Sequence, residues 1–253
     1  MITRRSKAEI ATMRRAGRLV AEVLALVEEN LRPGISTAQL DRLAEDHIRK
    51  AGGIPSFKGY PYRGVNDFPA SICISIDREV VHGIPGSRVI RDGQLVSIDA
   101  GAIIDGYHGD AARTFIVGDV PARARQLVDA TRQGMEAGIA AARPGNRIFD
   151  ISAAVEDVAL PLGLGVVRPY VGHGIGTAMH EEPQVPNYRT RQKGIELVPG
   201  ICLAIEPMFT IGSADVEVLE DDWTVVTSDG SLAAHFENSI AVTEDGPEVL
   251  TQL

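Results

Sequence analysis

The feature that most constrains this chain is its likeness to itself at an offset of 111 residues. Pro33-Gly34 overlays Pro144-Gly145, Leu40 overlays Ile151, Glu45-Asp46 overlays Glu156-Asp157, and Gly52 overlays Gly163. Around each match the local pattern recurs. Residues 6 to 31 show helical periodicity opened by Ser6, with Glu9 three positions on, a capping-box spacing. Ser36 and Gln39 repeat that spacing before the helical run Thr37 to Ala51, and Gly52-Gly53 supplies a left-handed stop. Strand-like runs follow at Ser71 to Ile76 and Gln94 to Val117. The order then returns: a helix from about Pro121 to Ala142, a Pro-Gly break, a helix near Ile148 to Ala159, and strands from Ile201 onward. The matches are sparse enough to arise by chance. Read as a repeat, they predict an α+β fold of two helix-helix-strand halves, about 6–118 and 119–245, with a site where the halves meet.

A chain of 253 residues could hold one large domain or two small ones. No linker-like or low-complexity segment divides it, so a single domain over 1–253 is expected. The net charge of -9, with no long Lys/Arg run, argues against a protein that grips nucleic acid or an anionic membrane by charge. An acidic balance also suits divalent metals. No apolar segment follows the polar, basic stretch Met1 to Ile10, and no run approaches about 18 apolar residues, so neither export nor a membrane span is expected. The two cysteines, Cys73 and Cys202, each lie in an apolar strand-like run. A disulfide framework is not expected, a reducing cytoplasm is, and Cys202 reads as a buried small hydrophobe.

The chemistry concentrates in a few polar residues set into apolar runs. Val96 to Val117 reads as two strands joined at Asp105-Gly106, a dipeptide suited to tight hairpins. With a two-residue turn there, Asp99 faces Ala112 and lies diagonally from Asp110; a shift of one residue on each side would pair the two aspartates directly. In both registers two carboxylates share one sheet face, and the remedies for their repulsion are a shared proton or a cation. Glu206 in ICLAIEPMFTI and Glu237 in HFENSIAV also occupy strand-like contexts, where an unpaired glutamate is costly. His173 lies among three glycines in YVGHGIG, which places it on an irregular loop, where a lone histidine is more often a surface residue than a ligand. Neither His173 nor His180 belongs to a helical HExxH pattern. Four carboxylates and one histidine suit Mn, Fe, Co or Zn rather than a thiolate-type structural zinc, and their charge balances two divalent cations. Two metals that bridge a water make a hydrolytic nucleophile, so the set Asp99, Asp110, His173, Glu206 and Glu237 points to a dinuclear hydrolase of unspecified substrate.

Several segments in order, VVHGIPG (80 to 86), SIDAGAIIDGYHGDAARTF (97 to 115), YVGHGIGTAMHEEPQVPNY (170 to 188), IEPMF (205 to 209) and WTVVTSDGSLAAHFENSIAVTEDG (223 to 246), resemble the methionine aminopeptidase family in its short bacterial type I form. The resemblance runs along essentially the whole chain. It implies the pseudo-twofold "pita-bread" fold and the removal of N-terminal methionine ahead of a small second residue. It further implies that Asp99 chelates one metal, that His173 and Glu206 bind the other, and that Asp110 and Glu237 bridge both, with Glu206 also the general base. His82 and His180 would be non-ligand histidines that contact substrate near the scissile amide. An apolar pocket for the methionine side chain would comprise Tyr60, Phe68, Cys73, Met179 and Trp223. The implied partners are N-terminal segments of nascent polypeptides, at the ribosome among other places, and the implied state is a monomer.

The chain departs from the family pattern in three places. The connection PYRGVND between Tyr60 and Phe68 is longer than usual, Met179 stands where an aromatic is common, and His235-Phe236-Glu237-Asn238 replaces a more usual Gln before the aromatic and His after the glutamate. Two rivals remain: a proline-directed (Xaa-Pro) peptidase of the same fold, whose chains usually carry a further N-terminal domain for which 253 residues leave no room, and a non-catalytic module that keeps the fold.

Overall fold

The structure is a computed structural model that describes residues 2–61 and 66–253 of the chain. The unusual connection between Tyr60 and Phe68 therefore falls largely outside the described residues, at 62–65. The first half runs α1 (Lys7–Asn30), α2 (Thr37–Lys50), β1 (Ile54–Pro55), β2 (Ile72–Ile76), β3 (Glu79–Val81), β4 (Gln94–Ile104) and β5 (Tyr107–Val117). The second begins with α3 (Ala122–Ala141) and α4 (Ile148–Ala159), followed by β6 (Gly165–Val166), β7 (Gly172–Gly174), β8 (Glu181–Val185), β9 (Cys202–Ile205) and β10 (Met208–Thr210). It ends with β11 (Val216–Val218), β12 (Val225–Thr227), β13 (Ala233–His235), β14 (Asn238–Thr243) and β15 (Gly246–Val249).

Local chemistry accounts for these boundaries. Ser6 Oγ accepts from Glu9 N and Ser6 N donates to Glu9 Oε2, and Ser36 with Gln39 does the same at α2, so both predicted capping boxes form. Gly52 and Gly163 follow α2 and α4 at positive φ (80° and 61°), and Gly34 and Gly145 take the same sign in the turns before them. Asp105 and Gly106 both have positive φ, as a two-residue type I′ turn requires. That turn fixes the register of the hairpin it closes: Ile104 pairs with Tyr107 and Asp99 with Ala112, which puts Asp99 and Asp110 on one face, diagonal to each other. Of the two registers left open by the sequence, this is the one with the aspartates offset.

Strand alternation decides which face is which. Val96, Ile98, Ala100 and Ala102 of β4 and Ala111 and Val117 of β5 are buried under α1 and α2. Leu203 and Ile205 of β9 and Ile240 and Val242 of β14 are buried with Ile148 and Ile151 of α4. The helices thus cover one face of each sheet, and Asp99, Asp110, Ala204 and Ser239 lie on the other. One sheet holds β4 between β5 and the edge strands β1 and β2, and another has the order β15-β14-β9-β7-β8. The sheets meet where β5 passes residues 235–239. Ala112 N donates to Glu237 O at 3.3 Å and Glu237 N donates to Ala112 O at 2.9 Å. On either side of that pair a hydroxyl spans the gap: Thr114 Oγ1 donates to His235 O and accepts from His235 N, and Ser239 Oγ donates to Asp110 O and accepts from Asp110 N.

Candidate metal centre

The join between the sheets assembles a row of acids. Asp99 pairs with Ala112, Ala112 with Glu237, and since Asn238 pairs with Ile205, Glu206 stands one step on, opposite Glu237. Asp110 projects from the same face of β5. His173 completes the group from β7, where it pairs with Ala204, diagonal to Glu206. It lies on an inner strand of the five-stranded sheet and not on an irregular loop as the glycines suggested. Those glycines serve close strand approach: a Cβ on Gly172 would sit 2.4 Å from Ala204 O, and one on Gly174 would sit 2.3 Å from Glu182 O.

Ligand atoms of Asp110, His173 and Glu237 come within 4.8 Å of one another. His173 Nδ1 donates to Gly174 O at 2.9 Å, which leaves the Nε2 lone pair facing the site, 3.4 Å from Glu206 Oε1. Asp99 Oδ1, Asp110 Oδ1 and Glu237 Oε1 are buried without a hydrogen-bond partner among the described residues. Burial, reinforced by mutual repulsion, pushes the carboxyls of Asp110, Glu206 and Glu237 far above the usual carboxylate range. Burial lifts Asp99 to about 7, against a hydrogen bond from Asp110 that lowers it; burial, with the neighbouring His180, takes His173 down to about 3, against its hydrogen bond to Gly174. Buried acids that repel, three of them with an unpartnered oxygen, beside an imidazole held neutral, are a donor set that fits divalent cations.

The face borders a cavity of about 820 Å³, and every residue expected at the site lines it. Phe68, Cys73, Met179 and Trp223 pack as one apolar cluster with Tyr60 against it. The Phe68 and Trp223 rings meet edge to face at 5.1 Å, and Trp223 Nε1 donates to Asn66 O. His82 holds a left-handed backbone (φ 60°) with its ring edge-on to Tyr170, and burial takes its imidazole down to about 4. The exposed His180 lies with its ring 4.4 Å from that of His173, and Tyr60 Oη is 2.7 Å from its Nδ1.

Other contributors were not singled out in the sequence. Phe57 joins the apolar cluster. Arg113, half-buried at the join, donates to Ala112 O, to Glu237 O and to Asn238 Oδ1. The position after Glu237, one of the departures noted above, is thus an acceptor for Arg113. His235 also lines the cavity.

The model of metallopeptidase family M24 matches residues 11–244. The chain belongs to metallopeptidase family M24. Within it, the chain is 51% identical over 252 residues to a methionine aminopeptidase of Clostridium acetobutylicum, covering 99% of both chains. The crystal structure of methionine aminopeptidase from Thermotoga maritima superposes with a TM-score of 0.96 at 41% identity, each chain covered completely. A prolidase from Pyrococcus furiosus shares the fold, with a TM-score of 0.80 at 21% identity over 99% of this chain and 65% of the prolidase. M24 membership agrees with divalent metal use at the buried Asp, His and Glu cluster. Among the described residues, no helix is long and apolar enough to cross a membrane.

Proposed function

We propose that this M24 chain hydrolyses the first peptide bond of polypeptides that begin with methionine, preferring a small second residue. The observation that carries the reading is the convergence of Asp99, Asp110, His173, Glu206 and Glu237 on one sheet face beside an apolar cluster, in a chain about half identical to a methionine aminopeptidase. We read these five residues as the ligands of two divalent ions (Co, Mn, Fe or Zn), with Asp110 and Glu237 shared, Asp99 on one ion, and His173 and Glu206 on the other. Bound there, the ions would supply a water nucleophile near neutral pH and polarise the substrate carbonyl.

The protein's own groups do the rest. Glu206 takes the proton of the attacking water and passes it to the leaving amine, a task open to a carboxylate that lines the cavity beside the other three acids and the imidazole of the set. His82 and His180, in the cavity wall, steady the oxygen of the scissile amide. The methionine side chain enters among Tyr60, Phe68, Cys73, Met179 and Trp223, where aromatic faces meet a thioether. We further read the chain as one cytoplasmic domain that acts as a monomer on nascent chains, its halves dividing near residue 118.

The test compares Met-Ala-Ser with Xaa-Pro dipeptides under saturating Mn or Co. Cleavage of the former and release of free methionine is expected. Cleavage confined to the latter would move the chain to the proline-directed reading, and no cleavage of either would favour the non-catalytic one.

A further inference from the structure

The join between the sheets has local twofold character, and it gives a role to a histidine that the reading above leaves unused. Ala112 and Glu237 pair at its centre. Thr114 binds both backbone groups of His235, and Ser239 binds both backbone groups of Asp110. His235 therefore stands to Glu237 as Asp110 stands to Ala112: two residues earlier on its strand, on the same face, with its backbone held by a hydroxyl from across the join. On its other side His235 pairs with Met208, so its Cα is fixed from both edges. The imidazole is 1% exposed, and its Nε2 has no hydrogen-bond partner among the described residues. That nitrogen lies 3.8 Å from Glu206 Oε2, while His173 Nε2 lies 3.4 Å from Glu206 Oε1. The Glu206 carboxylate is thus flanked by two imidazoles, one at each oxygen.

We propose that His235 is a positioning residue for Glu206, its Nε2–H donating to Oε2 so that the carboxylate is held with Oε1 toward His173. A neutral imidazole protonated on Nε2 satisfies its own buried nitrogen in this way with only a small ring rotation. A glutamate side chain has three rotatable bonds, and a carboxylate that must both ligate and accept a proton gains from a fixed orientation. His235 is assigned no metal: its Nε2 faces Oε2 of Glu206 at 3.8 Å, the oxygen opposite the one that faces His173. The inference rests on the assignment of Glu206 as ligand and base.

The test uses His235→Leu, which removes the donor at similar volume, and His235→Gln, which returns an amide donor of similar reach. Mn affinity is measured by calorimetry, and kcat and KM on Met-Ala-Ser are measured at saturating Mn. The Leu variant is expected to bind as many ions at saturation as the parent, with affinity weakened about tenfold and kcat lowered about 10- to 100-fold at a nearly unchanged KM. The Gln variant is expected to recover both quantities to within about threefold of the parent, by the same outer-partner logic. Parent-like kcat and affinity in the Leu variant would overturn the proposal, as would the loss of one ion at saturation, which would make His235 a ligand, or a Gln variant as impaired as Leu. Should the Leu variant not fold, His235→Asn, whose shorter amide does not reach Oε2, replaces it with the same expectations. If the parent itself leaves Met-Ala-Ser intact, the functional reading fails, whereas the affinity comparison still decides the role of His235.

Discussion

His173 Nε2 faces Glu206 Oε1 across 3.4 Å, and the other ring nitrogen of His173 is tied to the carbonyl of Gly174. The tie sets the tautomer, so the nitrogen aimed at Glu206 carries a lone pair. A lone pair aimed at a carboxyl oxygen at this distance is satisfied by a proton on that carboxyl, which burial favours, or by a cation that both groups ligate. Replacing His173 with Ala is therefore expected to lower metal affinity and turnover by more than the ~10- to 100-fold typical of losing an outer partner. Metal content after dialysis and cleavage of Met-Ala-Ser check this together; a variant that keeps both would remove His173 from the ligand set.

Metal affinity should fall steeply in acid. Burial raises Asp99 from 3.8 to about 7, so the folded chain free of metal holds a proton that the unfolded chain releases near pH 4. That contribution to the stability of the metal-free protein is complete below the unfolded value and vanishes as pH rises through 7. A bound cation needs the ionised form and competes with the proton. Mn affinity is thus expected to be at least about tenfold weaker at pH 6 than at pH 8, and the rise in Tm on adding Mn should be larger at the higher pH. Calorimetry and thermal melts at the two pH values measure it, and a pH-independent affinity would contradict the assignment.

Replacing His180 with Ala should separate binding of metal from chemistry. The ring is exposed to the cavity and held by Tyr60 Oη at 2.7 Å. Loss of a group that steadies the developing oxyanion lowers kcat by about 10²- to 10³-fold in comparable sites. Bound metal should remain at the parent level. If metal is lost with the ring, His180 is a ligand and not a substrate contact.

A fourth expectation concerns how α1 seats the strand that carries Asp110. A Cβ on Gly109 would meet Gly17 N at 2.6 Å and Ala16 C at 2.8 Å, all of it helix backbone that cannot swing aside. Gly109→Ala should destabilise the protein by about 1–3 kcal/mol, as overpacked cores do. For a chain of this size each kcal/mol lowers Tm by roughly 2–4 °C. Because the displaced strand holds Asp110, Mn affinity should weaken as well, and an unchanged melt would show that α1 yields more easily than the packing implies.

What could be read from the sequence was what local chemistry decides. The caps at Ser6 and Ser36 and the type I′ turn at Asp105-Gly106 depend on neighbours within a few residues, and the turn narrowed Asp99 to two registers, of which the one against Ala112 forms. The four acids stood out because they interrupt apolar runs. Their arrangement was hidden, since Ala112 and Glu237 are 125 residues apart and no hydrophobic period records that Thr114 and Ser239 bridge two sheets through their hydroxyls. For the same reason His173 read as a loop residue: the glycines that signal irregular backbone are here the means by which neighbouring backbone closes on β7. His235 was visible only as a departure from a family pattern, and its place opposite Glu206 emerged only from three-dimensional register.

The most direct test of the central claim titrates Mn into metal-stripped protein while bound metal and the cleavage of Met-Ala-Ser are measured on the same samples. Free methionine is expected only with metal, and binding is expected to saturate at two ions per chain. Cleavage by the stripped protein in excess chelator, or saturation with no cleavage at all, would contradict it.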